Sequence, residues 1–295
     1  MHSPMGKTYS AFYMREYAKV SCMGNLRNVF TYRIFLVLDY RLFRNKLKTL
    51  FDLMEYRVNV TKYKKSVSFI HSQLFISQSP LLLSELCDQY GSDKGSANSE
   101  VKPYPWPPHT YTGIYSLIFG LNRFAVSKVL ECGIGSNSEG QKSNMTKSGK
   151  PGASLRVWRD FFPEAEIYGI DIDQKTLFQE SRIKTYEVDQ TSARSINEFK
   201  AKILNIEFDI IIDDGLHEFL AGKKLFSNLY SILKNEGFYV IEDIMPTDLG
   251  KYQQYFSRIN LPFNTFFFND RSQKRSVDNV MIVIQKSNTE KVNWN

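Results

Sequence analysis

The sequence predicts an α/β protein: a mostly parallel, seven-stranded sheet whose last strand is antiparallel, preceded by a mainly helical N-terminal extension. Three observations predict it. From Lys128 onward, short apolar runs alternate with helical stretches. Several of those runs are apolar nearly throughout, as strands covered on both faces are. The last two runs are joined only by "RSQKRSVD", too short for a parallel crossover, so the final strand must pair antiparallel.

Residues 1–80 form the extension and 81–295 the main domain, whose sheet begins near residue 126. The extension is aromatic and basic, and Val29–Val60 mixes apolar residues with Arg and Lys at loosely helical spacing, which predicts amphipathic helix. Residues 1–79 hold 13 Lys/Arg against four acids, a balance of +9, while the whole chain carries +7. The basic character therefore belongs to the extension and says nothing about the substrate of the main domain. Such helices would pack on the main domain or join two copies in a homo-oligomer. Contact with an anionic inner-membrane surface and binding to nucleic acid are the other readings. "IFLVL" (Ile34–Leu38) is far short of the about 20 apolar residues that span a bilayer. The start lacks a signal-peptide pattern. Cys22, Cys87 and Cys132 offer no CxxC spacing, so neither a disulfide framework nor a zinc site is supported, and a reducing, cytoplasmic setting is expected.

Within the main domain, "LLLSELCDQY" reads as a short helix. The strand candidates are 128–132, 166–171, 183–189, 208–213, 238–243, 263–270 and 279–286. The segment 136–151, polar and nearly free of apolar anchors, is expected to be an exposed loop.

Ligands of an open α/β sheet bind outside the carboxyl ends of the strands, near the point where strand order reverses. The first strand ends in Glu131, then Gly133 and Gly135. A glycine pair there either lets backbone approach a ligand or merely makes a tight turn. The second ends in Asp171, an acceptor suited to ribose hydroxyls, and the third in Asp189 and Gln190, placed to meet an adenine edge. A nicotinamide site is disfavoured, because Ser138 stands where a third glycine would be and Asp171 lies 38 residues beyond Gly133, not about 20.

The fourth strand ends in Asp213 and Asp214, the fifth in Glu242 and Asp243. If the two strands are neighbours, four carboxylates converge where their mutual repulsion calls for a cation. Hard oxygen ligands suit Mg²⁺ or Mn²⁺. His217, three residues beyond Asp214, carries the side chain best matched to proton transfer near neutral pH. Helix capping would explain one acid here. It does not explain a second acidic pair at the next strand end.

The motifs "YGSDKG", "HTYTGIYSLIF", "VLECGIG", "GASLRVWRDFFP", "IYGIDID", "VDQT", "IIDDGLH" and "VIEDI", over about residues 86–245, resemble those of the class I S-adenosylmethionine (SAM)-dependent methyltransferases, which are Rossmann-like in fold. Within that class, they resemble those of the metal-dependent sugar O-methyltransferases of the macrolide type. The resemblance implies a SAM- and divalent-metal-dependent O-methyltransferase acting on a sugar hydroxyl, the sugar being nucleotide-linked or part of a glycan or natural product. It implies that Asp214, Glu242 and Asp243 ligate the metal and that His217 is the general base. Glu131, Gly133, Gly135, Ser154, Asp171, Asp189, Gln190 and Asp213 would surround SAM. Tyr90, Lys94, His109, Tyr111 and Tyr115 would lie near SAM or the acceptor, although Tyr111 and Tyr115, four apart, equally fit one packed helix face. A nucleic-acid methyltransferase guided by the basic extension and a non-catalytic scaffold are the alternatives.

Overall fold

The computed structural model describes residues 81–98, 102–269 and 279–287; the extension, with the assembly and membrane readings attached to it, lies outside the described residues. Eight strands form one sheet: β1 (Lys128–Cys132), β2 (Glu166–Asp171), β3 (Gln179–Glu180), β4 (Ile183–Glu187), β5 (Phe208–Asp213), β6 (Leu233–Ile241), β7 (Phe263–Asn269) and β8 (Val280–Lys286). Their order is β3-β4-β2-β1-β5-β6-β8-β7. The strands from β4 through β6 run parallel, and β8 is antiparallel to both β6 and β7. The predicted antiparallel last strand is thus present, inserted between its two neighbours.

The sheet gains one strand over the expected seven. Residues Gln179 and Glu180 fold back on β4 through a turn at Arg182, whose φ is +60°. Two exposed residues have no periodicity to read. They cover the edge of β4 and hold Glu180 against Arg156 and Arg159. At the other end, β6 starts at Leu233, ahead of the expected 238, with a register shift opposite Phe208 and Ile210.

Helices cover both faces, as the uninterrupted apolar strands require. On one side lie α1 (Leu82–Tyr90), α2 (Tyr111–Phe119) and α3 (Ala153–Phe161), packed on Val129, Ile167, Ile210, Ile212 and Val240. On the other lie α4 (Ala193–Lys202), α5 (Phe219–Leu229) and α6 (Pro246–Arg258), packed on Leu130, Ile170, Ile211, Tyr239 and Ile241. The alternation along β5 decides which residue meets which layer. Local signals start the helices: the Ser192 side chain accepts a hydrogen bond from Ser195 N–H at the head of α4, and Pro246 opens α6. Trp158 of α3 is fully buried, with Tyr115 edge-on at 5.0 Å. Side chains of this kind stabilise the fold by about 1.5–3 kcal/mol each through burial. Among the described residues no helix is long and apolar enough to cross a membrane.

Candidate active site

Chain order leaves β1 toward β2 on one side, while β5 leads to β6 on the other, so the order reverses between β1 and β5. A cleft of about 610 Å³ opens there, at the carboxyl ends of the parallel strands. Its volume lies in the range of small-molecule sites.

One half of the cleft is built from the ends of β1, β2 and β4. Gly133 has φ +83°, and a Cβ on it would lie 2.0 Å from the carbonyl oxygen of Asp214. Its glycine is therefore required by the close passage of the β1 and β5 ends, whatever ligand the cleft takes. Gly135, at φ +85°, is crowded instead by Met145. Asp171 accepts from the N–H of Ile134 and of Asp173, both at 2.9 Å, and burial raises its pKa. Asp189 accepts from Thr191 N–H (2.8 Å) and hydroxyl (2.6 Å). Gln190 accepts from Leu216 N–H at 2.7 Å and donates to Asp213, tying the β4 end to the turn after β5. Ile172, half exposed beside Asp171, adds an apolar wall that sequence reasoning passed over. Gly133, Gly135, Ser154, Asp171, Asp189 and Gln190 all line the cleft.

Two residues expected around the cofactor do not. Glu131 is fully buried behind the wall; its carboxylate accepts from Ser154 Oγ at 2.6 Å and faces Lys94 Nζ at 3.1 Å. Asp213 shares a face of the sheet with Ile211 and points toward α5 and α6, into a separate void of about 10 Å³ beside Gly222 and Tyr252. Its Oδ2 has no hydrogen-bond partner among the described residues, and burial pushes its pKa up to about 6 against the opposing charge of His217.

The other half gathers the remaining strand-end acids. Lys94 Nζ, almost fully buried, lies 2.6 Å from Asp214 Oδ2 and also donates to Glu242 Oε2. From α2, the Tyr115 hydroxyl donates to Glu242 Oε1 and the Tyr111 hydroxyl to Asp243 Oδ1 at 2.6 Å. The spacing of four thus serves both readings of this pair: one buried helix face whose hydroxyls reach neighbouring acids. His109 stacks on Tyr111 at 4.9 Å, with Nδ1 3.6 Å from Asp243. His217 Nε2 is 3.2 Å from Asp214 Oδ1 and 3.8 Å from Asp243 Oδ2. Both His217 (φ +57°) and Asp243 (φ +51°) sit in the left-handed region, a local strain that turns their side chains toward Asp214. Asp214, His217 and Asp243 each offer a ligand atom within 4.8 Å of the others. Glu242, expected beside them, has both oxygens engaged by Lys94 and Tyr115 and does not line the cleft.

The electrostatics follow from this crowding. Burial alone would raise Asp214, but the Lys94 charge and the His217 hydrogen bond hold it at about 2. Burial would lower His217, yet its hydrogen bond to Asp214 and the charges of Asp243 and Asp213 lift it to about 10. Burial drives Glu242 and Asp243 upward. Lys94 stays charged because its three acid neighbours outweigh its burial.

Of the other expected residues, Lys94 and His109 line the cleft, whereas Tyr90 lies apart from it, donating to Asp160 on α3. The 136–151 loop is mostly exposed, as expected, but it is anchored: Ser136 is buried against Asp173, and Gln141–Met145 line the cleft. An isolated bridge between Ser136 and Asn144 folds the loop on itself, a backbone contact that polar composition does not announce.

No family model matches the chain. It is 33% identical over 171 residues to 8-demethyl-8-alpha-L-rhamnosyl tetracenomycin-C 2'-O-methyltransferase of Streptomyces olivaceus, covering 58% of this chain and 40% of that protein. It is 35% identical over 136 residues to mycinamicin VI 2''-O-methyltransferase of Micromonospora griseorubida, covering 46% and 32%. Among solved structures it is similar to the MycE methyltransferase of the mycinamycin biosynthetic pathway in complex with Mg and SAH, with a TM-score of 0.52 and 25% identity over 73% of this chain and 56% of that one. The chain spans less than half the length of these curated relatives, 40% and 32%. The fold is that of the class I methyltransferases, and the relatives are sugar O-methyltransferases, as the motifs imply.

Proposed function

We propose that this chain is a SAM- and divalent-metal-dependent O-methyltransferase whose acceptor is a sugar hydroxyl on a small molecule. The observation that carries the reading is the convergence of Asp214, His217 and Asp243 within 4.8 Å, in the same cleft as the strand-end acids Asp171 and Asp189. Its relatives are named for sugar O-methylation, and a similar solved structure holds Mg and SAH.

The residues present fit both groups. The carboxylate oxygens of Asp214 and Asp243 suit Mg²⁺ or Mn²⁺, and the imidazole of His217 stands beside them without being needed as a ligand. Glu242 would support that pair of carboxylates from behind, through Lys94 and Tyr115. Asp171 and Asp189, fixed by neighbouring backbone, and Gln190, fixed by Leu216 and Asp213, would orient SAM. When bound, SAM supplies an activated methyl group and the cation supplies Lewis acidity toward a hydroxyl. His217 then has one task, to take the hydroxyl proton at Nε2. It can do so near neutral pH only if the charges of Asp214 and Asp243 that raise it are offset. Holding hydroxyl, imidazole and methyl in one enclosed cleft provides the remaining acceleration through orientation.

Incubation with methyl-labelled SAM, Mg²⁺ and a panel of glycosides and nucleotide sugars tests the reading. Label should pass to a sugar, and EDTA should abolish transfer. Turnover indifferent to EDTA overturns the metal assignment, and transfer to RNA alone favours the nucleic-acid alternative. No observation on the described residues supports that alternative, since the basic surplus lies in residues 1–79. A cytoplasmic setting fits the same reading.

A further inference from the structure

The segment "KPYPWPPH" (Lys102–His109) has four prolines in eight residues. Each fixes its own φ and restricts the residue before it, so the strap has little freedom to lose. It is also closed at its base: His109 N–H donates to the Asp93 carbonyl at 2.7 Å, and Thr112 N–H to that of Lys94 at 3.2 Å. Trp106 sits at its middle, partly exposed in the cleft wall. Two contacts set its ring. The indole N–H donates to Asp93 Oδ2 at 2.7 Å, and the ring stacks on buried Tyr104 at 5.6 Å and 26°. Lys102 Nζ, bonded to the Trp106 carbonyl, lies over Tyr104 in turn. Trp158, by contrast, is fully buried in the core. A large ring held this rigidly with surface left open in a cleft serves a ligand, because the ordering cost of binding has been met in advance.

We propose that Trp106 is the platform on which the pyranose ring of the acceptor lies. The inference rests on the sugar O-methyltransferase reading and deepens it. The C–H groups on one face of a pyranose carry partial positive charge and meet the negative face of an indole, while the hydroxyls at the ring edge stay free for polar groups. Position separates this ring from the cofactor. Its indole bonds Asp93, next to Lys94 on the acid cluster, and its strap ends at His109 beside Asp243. The acceptors at the ends of β2 and β4 stand in the other half of the cleft. A pyranose on Trp106 would present its edge hydroxyls to Asp214, His217 and Asp243, and Trp106 would select acceptors by the apolar face of the sugar.

The test titrates the full chain, saturated with SAH and Mg²⁺, with methyl α-L-rhamnopyranoside and follows tryptophan indole N–H resonances and saturation transfer to the sugar. There are three tryptophans, and W106F identifies the Trp106 signal by its loss. The Trp106 signal should shift, with saturation transfer on the pyranose C–H protons. W106F should bind the glycoside within a few-fold of wild type, and W106A about tenfold more weakly with SAH affinity unchanged. If W106A loses SAH binding as well, the wild-type shift and W106F decide the matter. The platform is overturned if W106A binds the glycoside like wild type, or if uridine shifts Trp106 and the glycoside does not. If labelled methyl reaches a sugar while the Trp106 signal stays still, the platform fails and the sugar reading stands. If no glycoside binds or is methylated by wild type that still holds SAH and Mg²⁺, both fail.

Discussion

The two halves of the cleft hold their acids by different means. At the ends of β2 and β4, Asp171 and Asp189 accept hydrogen bonds from groups no more than two residues away, or from the adjacent β1 turn. At the ends of β5 and β6, Asp214, Glu242 and Asp243 are held by side chains that arrive from over a hundred residues earlier, Lys94, Tyr111 and Tyr115. The first half is built locally. The second exists only once Lys94 and helix α2 lie against the ends of β5 and β6, so its geometry and its charge depend on long-range packing.

Removing the cation that links the second half should break it most severely. Lys94→Met leaves Glu131, Asp214 and Glu242 facing one another without a counter-charge. Breaking a buried ionic cluster of this kind costs about 3–5 kcal/mol. Chemical denaturation in EDTA should show that loss, and millimolar Mg²⁺ should recover part of it. An equal loss from altering Asp171 would erase the contrast between the halves.

Asp214→Asn sharpens the division at the level of function. Metal-dependent transfer should fall about a thousandfold, the several kcal/mol that Lewis-acid assistance supplies, while SAH affinity stays near wild type by calorimetry. Loss of SAH binding with an intact metal response would show that the halves are not separable. His217→Ala should lower kcat by about a hundredfold and recover partly at high pH, with little change in the half-saturating SAM concentration. Tyr115→Phe is milder. It removes one donor from a buried acid and should cost about 1–3 kcal/mol in thermal or chemical unfolding.

The same contrast explains what the sequence showed. Strands over 128–132, 166–171 and 208–213 were legible because apolar runs bounded by turn residues have few other structures open to them. The acids at their ends were legible because strand ends in such a sheet face ligands. Their assignment within the cleft was not. Glu131 and Glu242 are turned toward α1–α3 and bind Lys94, a partner that no local pattern connects to them. The spacing of Tyr111 and Tyr115 revealed one helix face but not which acids it would meet. Trp106 gave no periodic signal at all.

Asp213 belongs to neither half, and it tests the geometry most finely. One step of the β5 alternation separates it from Asp214 and sends it to the α5 and α6 side, where Oδ2 lacks a hydrogen-bond partner among the described residues and burial pushes the pKa up to about 6. A carboxyl whose folded pKa lies above its unfolded value binds more protons in the folded state between about pH 4 and 6. Its contribution to stability is therefore complete below pH 4 and is lost as pH rises through 6. In metal-free protein this loss should amount to about 1 kcal/mol between pH 5 and 7. Asp213→Asn keeps an oxygen for Gln190 and carries no charge, so its unfolding free energy should lack this component and exceed that of wild type at pH 7. If the variant follows the wild-type pH profile, Asp213 is not buried as an orphan, and the sidedness that divides it from Asp214 is wrong.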